Sequence, residues 1–312
     1  MNELVIGVDA GGTHTRAALA NLRGEILGAG DAGSGNPHQN GPTAARSEIL
    51  SAIQRAFDAA HIEQQNIAAA CLGIAGIDRE DERVEWTKWA SEKLSVRPRI
   101  VNDGELVLAA GSAENWGVAL VAGTGSIAWG KSRDGRAARA GGWGHAIGDE
   151  GSAYDLARQA LRAASQYADG RGEKTRLLDA ILAYWKLESP QDLIGVVYRS
   201  EKKPADIAEL AAVVVQCAEA NDPVSQSLIE NGSTELATMI YAVAHALEIQ
   251  NDKFPLALAG GLLLGAETVR VHLLQAAEKR GLKFSSVALV NEPIKGAVRM
   301  AVEMMKSSLL PC

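Results

Sequence analysis

The chain has 312 residues, enough for two domains, and its 47% hydrophobic and 22% charged residues are typical of a globular enzyme rather than a disordered or fibrous protein. It carries 31 basic and 38 acidic residues, a net charge of −7, without a long run of like charges. Nucleic acid is therefore not an expected partner.

Neither the first residues nor the longest uncharged run resembles a targeting or membrane segment. The chain begins without a basic stretch, so no secretory signal is expected. The uncharged run from Asn115 to Gly130 contains four glycines and is shorter than the ~20 apolar residues that span a bilayer. Cys71, Cys217 and Cys312 are far apart, which argues against a disulfide framework or a cysteine zinc site and favours a reducing cytoplasm.

The first third of the chain predicts mixed α/β structure. The stretch ELVIGVDAGGTHTRAALANLRGEILGAG alternates apolar runs with a Gly-Thr turn and a polar turn, which predicts three short antiparallel strands. A helix follows, with Thr43 as its expected N-cap and Ile49, Ile53 and Phe57 on one face. Buried strands are predicted at IAAACLGIAGI and RIVND, with a helix between them and a short helix after them. The order is βββαβαβ followed by a helix.

A second stretch, GVALVAGTGSIAWGKSRDGRAARAGG, has the same order of parts. The turn glycines Gly12 and Gly24 are 12 residues apart, as are Gly123 and Gly135. We therefore predict a duplicated βββαβαβα unit, with domains at 1–110 and 111–312.

The second domain is predicted to be the larger. Ser152 starts a capping-box pattern that opens its first helix. Residues 168–222 predict a helical insertion without a motif, and two strands and further helices follow. The last helix, 293–306, is a candidate to pack back on the first domain.

Two glycine motifs match well-known nucleotide-binding patterns but lack the required context. Gly125 to Ser132 fits G-x-x-x-x-G-K-[ST], and Gly28 to Gly33 fits G-x-G-x-x-G. Both patterns need a helix next, because the helix N-terminus supplies part of the field that binds phosphate. A turn follows the first match and a loop follows the second, so we interpret both as accidental.

The stretch VDAGGTHTRAAL predicts a phosphate-binding hairpin. Asp9 ends a buried strand, and Gly11, Gly12, Thr13 and Thr15 follow it. Glycines let the backbone approach an anion, successive N–H groups can bind phosphate oxygens, and a carboxylate can hold Mg²⁺ directly or through water. An ordinary hairpin turn is the alternative. The matching turn of the second unit, GTGS from residue 123 to 126, favours the phosphate interpretation, with one hairpin from each domain.

Four segments resemble the N-acetylglucosamine kinase branch of the BadF/BadG/BcrA/BcrD ATPase family, within the superfamily of sugar kinases, heat-shock chaperone ATPases and actin. They are NDGELVLAAGS, ALVAGTGSIAWG, GGWGHAIGDEGSAYDLARQAL and LALAGGLLLG. The resemblance implies two ribonuclease-H-like domains with an interdomain cleft. It also implies an ATP- and Mg²⁺-dependent kinase that phosphorylates the primary hydroxyl of an amino sugar, and it implies a homodimer.

The resemblance also implies roles for individual residues. Asp103 would be the catalytic base for the sugar hydroxyl. Asp9, from the hairpin interpretation above, is the residue expected to hold Mg²⁺ through water. The implied sugar-binding residues are Asn36, Asp103, Ser126, Gly142, Trp143, Gly144 and Asp149. The implied ATP-binding residues are Gly11, Gly12, Thr13, Thr15, Thr124, Gly125, Ala208, Gly260, Gly261 and Leu264.

Several alternatives remain open. Asn102-Asp103-Gly104 would also suit a surface turn, and His145 and Glu150 are each interpretable as structural or functional. The acceptor could be N-acetylglucosamine, glucosamine, N-acetylmuramic acid or glucose, because discrimination between these sugars depends on a few contacts in the pocket. A dehydratase activator with a cysteine-bound iron–sulfur cluster and a sugar sensor without turnover are the other functions considered. A glucokinase of the related repressor/kinase family is disfavoured by the absence of a cysteine cluster.

Overall fold

A computed structural model describes residues 3–63, 67–77, 79–198 and 202–308, and it divides the chain into two compact units. Unit 1 comprises residues 1–116 and 292–312, and unit 2 comprises 117–291. The first unit thus extends past the predicted boundary at residue 110, and the C-terminal segment belongs to it rather than to the second unit. Within the described ranges, no helix is both long and apolar enough to cross a membrane.

Unit 1 is built on a five-stranded sheet in the order β3-β2-β1-β4-β5. Its elements are β1 (Leu4–Ala10), β2 (Thr15–Asn21), β3 (Ile26–Ala32), α1 (Pro37–Asn40), α2 (Pro42–Ala60), β4 (Ala69–Ile74), α3 (Glu80–Leu94), β5 (Arg99–Val101), α4 (Asp103–Gly111) and α13 (Ile294–Ser308). β1 pairs antiparallel with β2 and parallel with β4, which in turn pairs parallel with β5. The carboxyl ends of β1, β4 and β5 therefore meet at one edge of the sheet.

Unit 2 repeats this sheet in the corresponding order, β8-β7-β6-β9-β10. Its elements are β6 (Gly117–Ala122), β7 (Ser126–Lys131), β8 (Ala137–Gly141), α5 (Ala153–Ala168), α6 (Leu177–Trp185), α7 (Asp192–Tyr198), α8 (Pro204–Ala208), α9 (Ala211–Glu219), α10 (Pro223–Ala246), β9 (Lys253–Ala259), α11 (Gly261–Gly265), α12 (Glu267–Lys279) and β10 (Lys283–Leu289). β6 pairs antiparallel with β7 and parallel with β9. The duplicated mixed α/β fold predicted from the sequence is confirmed.

The second turn of each meander shows how closely the two units correspond. Gly24 and Gly135 both have left-handed φ values, 80° and 91°. The N–H of Gly24 donates to the Asn21 carbonyl at 2.9 Å, and the N–H of Gly135 donates to the Ser132 carbonyl at 3.1 Å. The spacing of these glycines in the sequence therefore reflects the same turn used twice.

Alternation along β1 divides the core of unit 1 into two layers. Ile6 and Val8 face the layer that includes α2 and α3, whereas Val5 faces the layer that includes α4 and α13. Because side chains alternate along a strand, Asp9 lies on the same face as Val5.

Two glycines permit the close approach of α13. A Cβ on Gly7 would lie 2.7 Å from the Val298 nitrogen, and one on Gly296 would collide with the Leu106 carbonyl. The final helix thus packs directly on β1 and on α4, the helix that begins at Asp103.

The two glycine motifs that were interpreted as accidental lie in strands and turns of the structure. Gly125 to Ser132 runs from the β6–β7 turn through β7, which pairs with β6 and β8 and is followed by a turn. Gly28 and Gly30 lie inside β3, where Cβ atoms would collide with backbone carbonyls of α2. Neither segment opens a helix, so both interpretations from the sequence are confirmed.

Candidate active site

The β1–β2 hairpin of unit 1 presents Gly12 and Thr13 at its tip. The N–H of Gly11 donates to the His14 carbonyl at 2.9 Å, which closes the turn. The N–H of Gly35 donates to the Gly11 carbonyl at 3.2 Å and ties the loop after β3 to the hairpin. Gly12 is partly exposed and Thr13 is exposed, so both are accessible to a ligand.

Thr15 differs from its predicted role. It is the first residue of β2, its side chain is fully buried, and its hydroxyl has no hydrogen-bond partner. A Cβ on Gly35 would lie 2.6 Å from that hydroxyl, which shows how closely the Gly35 loop covers it. Thr15 therefore lies beneath the loop rather than on its surface, and in this conformation its hydroxyl cannot contact a phosphate.

Asp9 and Asp103 lie near each other at the carboxyl edge of the unit 1 sheet. Burial and, to a smaller extent, the negative charge of Asp103 raise the pKa of Asp9 from 3.8 to about 7, while Arg16 opposes the shift. Asp103 is the first residue of α4, directly after the N-cap Asn102, whose side chain accepts a hydrogen bond from the Gly104 N–H at 2.8 Å. The cap fixes the start of the helix and hence the position of Asp103. The simple surface turn considered from the sequence is thus a helix start.

Asn36 caps the short helix α1 in the loop that follows β3. Its side-chain oxygen accepts a hydrogen bond from the His38 N–H at 2.9 Å. Nε2 of His38 lies 3.0 Å from the Gly76 carbonyl oxygen and 3.4 Å from a carboxylate oxygen of Glu82. Asn36 is therefore held by its own loop and, through His38, by the segment after β4.

The β6–β7 hairpin of unit 2 lies beside the loop that joins β9 to α11. The N–H of Gly123 donates to the Gly125 carbonyl at 3.0 Å, and the Gly123 carbonyl accepts from the Ala153 N–H at 2.8 Å. A Cβ on Gly123 would lie 3.6 Å from the Gly261 nitrogen. The structure thus brings together Thr124, Gly125, Gly260 and Gly261 at one end of the unit 2 sheet.

Gly260 is required by its backbone conformation and by its neighbours. Its φ is 93°, and a Cβ would collide with the Ala122 carbonyl group. We expect Gly260→Ala to lower the free energy of unfolding by about 1–3 kcal/mol because it combines overpacking with a strained φ. Urea denaturation compares it with Gly265→Ala, whose Cβ would meet no atom within 4 Å. Equal urea midpoints for the two variants would contradict the expectation.

Ser126 and Asp149 are buried, and hydrogen bonds join the start of β7 at Ser126 to the loop that contains Asp149. The Asp149 carboxylate accepts from the Ser126 N–H at 3.2 Å, and the Ser126 hydroxyl donates to the Glu150 carbonyl at 2.8 Å. Asp149 has a left-handed φ of 63°, and burial raises the pKa of its carboxyl while the Ser126 bond opposes the shift. These bonds show that both residues shape the loop that follows β8.

The remaining predicted sugar residues lie in the exposed part of the same loop. Gly142 and Gly144 have left-handed φ values of 70° and 82°, and Trp143 is 63% exposed between them. The Arg139 guanidinium lies 5.1 Å from the centre of the Trp143 ring. An aromatic face held open in this way can stack on a sugar ring.

The structure also places four residues whose roles the sequence did not decide. Ala208 is buried at the end of α8, which packs on α5, and Leu264 is half-buried in α11. His145 is exposed, and its ring makes an edge contact with Tyr154 at 5.3 Å between centroids. The Glu150 side chain is exposed, while its carbonyl holds Ser126.

The BadF/BadG/BcrA/BcrD ATPase family matches residues 6–301, nearly the whole chain. The chain belongs to this family. A curated relative from Clostridium acetobutylicum, an N-acetylmuramic acid/N-acetylglucosamine kinase, is 34% identical over 95% of this chain and 97% of its own length. An N-acetyl-D-glucosamine kinase from Dictyostelium discoideum is 30% identical over 83% of this chain and 85% of its own length.

Solved structures agree with this assignment. A proposed N-acetylglucosamine kinase from Chromobacterium violaceum superposes with a TM-score of 0.75 at 26% identity, over 96% of this chain and 99% of that one. A hexokinase of the ROK family from Thermus thermophilus superposes with a TM-score of 0.61 at 17% identity, over 98% and 99% of the two chains. The second similarity concerns the fold alone.

The donor set of this BadF-family chain fits a magnesium ion held with a nucleotide. In the described part of the chain, no three His, Cys, Asp or Glu side chains converge as a metal cage. Mg²⁺ usually keeps several waters and is bound by one or two carboxylates plus substrate phosphates. Asp9 offers such a carboxylate at the end of β1, where burial raises its pKa.

The cysteines do not resemble ligands of an iron–sulfur cluster. Cys71 is fully buried in β4, and burial raises the pKa of its thiol to about 12. Cys217 is buried in α9, where burial also raises the pKa. Thiolates bind metal, and both environments disfavour the thiolate. Cys312 lies outside the described residues. The dehydratase-activator alternative therefore finds no support in the described cysteines.

Sequence reasoning gave no role to Gln39 and Arg16, which the structure brings to the site. A Cβ on Gly12 would lie 3.1 Å from Nε2 of Gln39. Arg16 acts on the pKa of Asp9 while pairing with Asp31 at 3.1 Å. Arg16 is the direct cross-strand partner of Asp9 in the β1–β2 pair, a register that the hairpin sequence could have predicted. The position of Gln39 had no signal in the sequence.

Proposed function

We propose that this chain is an ATP-dependent kinase that phosphorylates the primary 6-hydroxyl of an amino sugar, with N-acetylglucosamine as the first candidate. The observation that carries the proposal is the pair Asp9 and Asp103 beside a glycine-rich hairpin, in a BadF-family chain. One carboxylate is available for a metal and one for a hydroxyl proton. A protein that only binds sugar needs neither.

The proposed chemistry assigns simple tasks to these residues. Phosphoryl transfer passes through a loose transition state, so positioning and charge stabilisation supply most of the catalysis. Asp103 orients the sugar hydroxyl and accepts its proton. Gly11, Gly12 and Thr13, together with Thr124 and Gly125, bind phosphate oxygens through N–H and hydroxyl donors. Mg²⁺, held by Asp9 through water, would neutralise phosphate charge.

The remaining roles concern the two substrates. We propose that Gly260 and Gly261 let the adenosine lie against the backbone, with Ala208 and Leu264 near the base. Asn36, Gly142, Trp143 and Gly144 contact the sugar. Ser126 and Asp149 support the sugar loop, and their bonds to each other's segments favour this role.

N-acetylmuramic acid is the second candidate acceptor, because the relative from Clostridium acetobutylicum is a kinase for both N-acetylmuramic acid and N-acetylglucosamine. Glucosamine and glucose are the less favoured candidate acceptors. These sugars differ at C2 and C3, and a site that hydrogen-bonds an acetamido group rejects sugars that lack it by leaving its own polar groups unpaired.

A coupled ADP-release assay over aldohexoses, amino sugars and their N-acetyl forms tests the proposal. We expect N-acetylglucosamine to give the highest kcat/KM, with activity that is lost on chelation of Mg²⁺. ATP binding without ADP release for any sugar would overturn the kinase proposal and favour the sensor or activator.

We further propose, from the resemblance to the family, that the chain is a cytoplasmic homodimer. Light scattering coupled to size-exclusion chromatography measures the mass in solution. A mass near twice 32.8 kDa is expected, whereas a mass of one chain would refute the dimer.

A further inference from the structure

We propose that Gln39 is a catalytic residue whose carboxamide donates a hydrogen bond to the phosphoryl group held at the β1–β2 hairpin. The inference rests on the proposed function, which assigns Gly12 and Thr13 to the phosphates. It extends that function by naming a donor that comes from the sugar-binding loop rather than from the hairpin.

The first observation is the position of the Gln39 side chain. A Cβ built on Gly12 would lie 3.1 Å from its Nε2 and 3.4 Å from its Oε1. The carboxamide therefore lies against the Gly12 backbone, at the partly exposed tip of the hairpin. A ligand bound at the tip of the hairpin beside Gly12 would therefore lie close to this carboxamide.

The second observation is that the carboxamide is available. Within the ranges that the structure describes, no group accepts from or donates to the Gln39 side chain, although its backbone N–H donates to the Asn36 carbonyl at 3.3 Å. An amide group offers two N–H donors. Rotation of the terminal amide can direct either N–H to a phosphate oxygen.

The third observation is that hydrogen bonds hold the loop that carries Gln39. The Gly35 N–H bonds to the Gly11 carbonyl at 3.2 Å, and the His38 ring bonds to the Gly76 carbonyl at 3.0 Å. These bonds fix the loop backbone beside the hairpin, so the exposed Gln39 side chain has only its own rotamers to adjust when it meets a phosphate oxygen.

The charges around the hairpin explain why a neutral donor suits this position. The hairpin sequence GGTHT contains no lysine or arginine, and the nearby Arg16 already pairs with Asp31. Asp9 and Asp103 add negative charge on the same edge of the sheet. Amide donors from Gln39, with the backbone N–H groups, can therefore stabilise phosphate oxygens without forming an ion pair with either carboxylate.

The placement of Gln39 also links the two substrates. Asn36 is the N-cap of the four-residue helix α1, and Gln39 is the third residue of that helix. Asn36 is the proposed sugar contact, and Gln39 contacts the phosphate hairpin. A sugar that orders α1 would therefore also order the phosphate donor, which favours transfer to sugar over transfer to water.

The test compares Gln39→Leu and Gln39→Glu with the matched control Gln54→Leu, which removes an exposed glutamine on α2 that bonds to Asp58. We expect Gln39→Leu to lower kcat by about 100-fold, as for removal of one oxyanion donor, with little change in the sugar KM. Gln39→Glu should lower kcat more, because a carboxylate repels the phosphate. Gln54→Leu should retain the wild-type rate.

Nucleotide affinity gives a readout that does not depend on turnover. Calorimetric titration with Mg²⁺ present should show weaker ATP binding by Gln39→Leu but unchanged ADP binding, because only ATP carries the third phosphate. If kcat and the ratio of ATP to ADP affinity both match wild type, or if ATP and ADP binding weaken equally, the inference is overturned. Absence of sugar phosphorylation in the wild type would refute the proposed function, and the ATP-to-ADP ratio would still decide the role of Gln39.

Discussion

Replacing Asp103 with asparagine is expected to lower kcat by about 10²- to 10⁴-fold, the usual contribution of a general base. Asparagine keeps the N-terminal position of α4 and can still accept a hydrogen bond from the sugar hydroxyl, but it cannot take the proton. The sugar KM should therefore change little, since a loss confined to kcat marks an interaction made in the transition state. Steady-state ADP release with the best acceptor measures both constants.

The control for Asp103→Asn is Asp58→Asn, which removes an exposed carboxylate on α2 that accepts a bond from Gln54. We expect this control to keep the wild-type kcat. If Asp103→Asn retains kcat within about tenfold of wild type, Asp103 is not the base, because even modest general bases contribute more than this.

Replacing Asp9 with asparagine is expected to reduce activity and, above neutral pH, to stabilise the ligand-free protein. Activity falls because the neutral amide is a poorer partner for hydrated Mg²⁺ than a carboxylate. Stability rises because a buried charge next to Asp103 is removed. Opposite effects on activity and stability are typical of a functional carboxylate kept in an unfavourable environment.

The pH dependence of stability follows from the sign of the pKa shift. The pKa of Asp9 is raised from 3.8 to about 7 in the folded protein, so the folded state retains a proton that the unfolded state releases. Between these two values the unfolded chain binds fewer protons, and the free energy of unfolding therefore falls as pH rises. The fall attributable to Asp9 amounts to at most about 4 kcal/mol and is complete above pH 7.

Urea unfolding of wild type and Asp9→Asn across pH 4 to 8 measures this difference. We expect the curves to coincide near pH 4 and the variant to be the more stable at pH 8. Curves that stay parallel over the whole range would show that Asp9 ionises normally. That result would remove the reason for expecting an uncompensated charge at the end of β1.

The parts of the site that were predictable from sequence lie at strand ends. Asp9 and Asp103 each follow a buried apolar run, and parallel strands place their carboxyl ends at one edge, so their proximity follows from the order βββαβαβ. The turn glycines of the two meanders were predictable because left-handed φ favours glycine. Ser152 was predicted as an N-cap, and its hydroxyl does accept from the Asp155 N–H.

Other features depend on packing that no local pattern encodes. Thr13 and Thr15 both follow the two glycines closely in sequence, yet Thr15 begins β2 opposite Ala10 and is buried. Thr43 was predicted to cap α2, but that helix begins at Pro42 after Gly41, whose φ of 80° no threonine would readily adopt. The contact between Gln39 and Gly12 joins segments separated by β2 and β3. Such contacts appear only once the loops are placed against each other.

The position of the phosphate on the product decides whether the chain is a kinase for the 6-hydroxyl. The chain should be incubated with ATP, Mg²⁺ and N-acetylglucosamine, and the product examined by phosphorus–proton correlation NMR. We expect a phosphomonoester coupled to the two C6 protons, and its formation should depend on Asp103. A phosphate attached at the anomeric carbon, or inorganic phosphate with unmodified sugar, would contradict it.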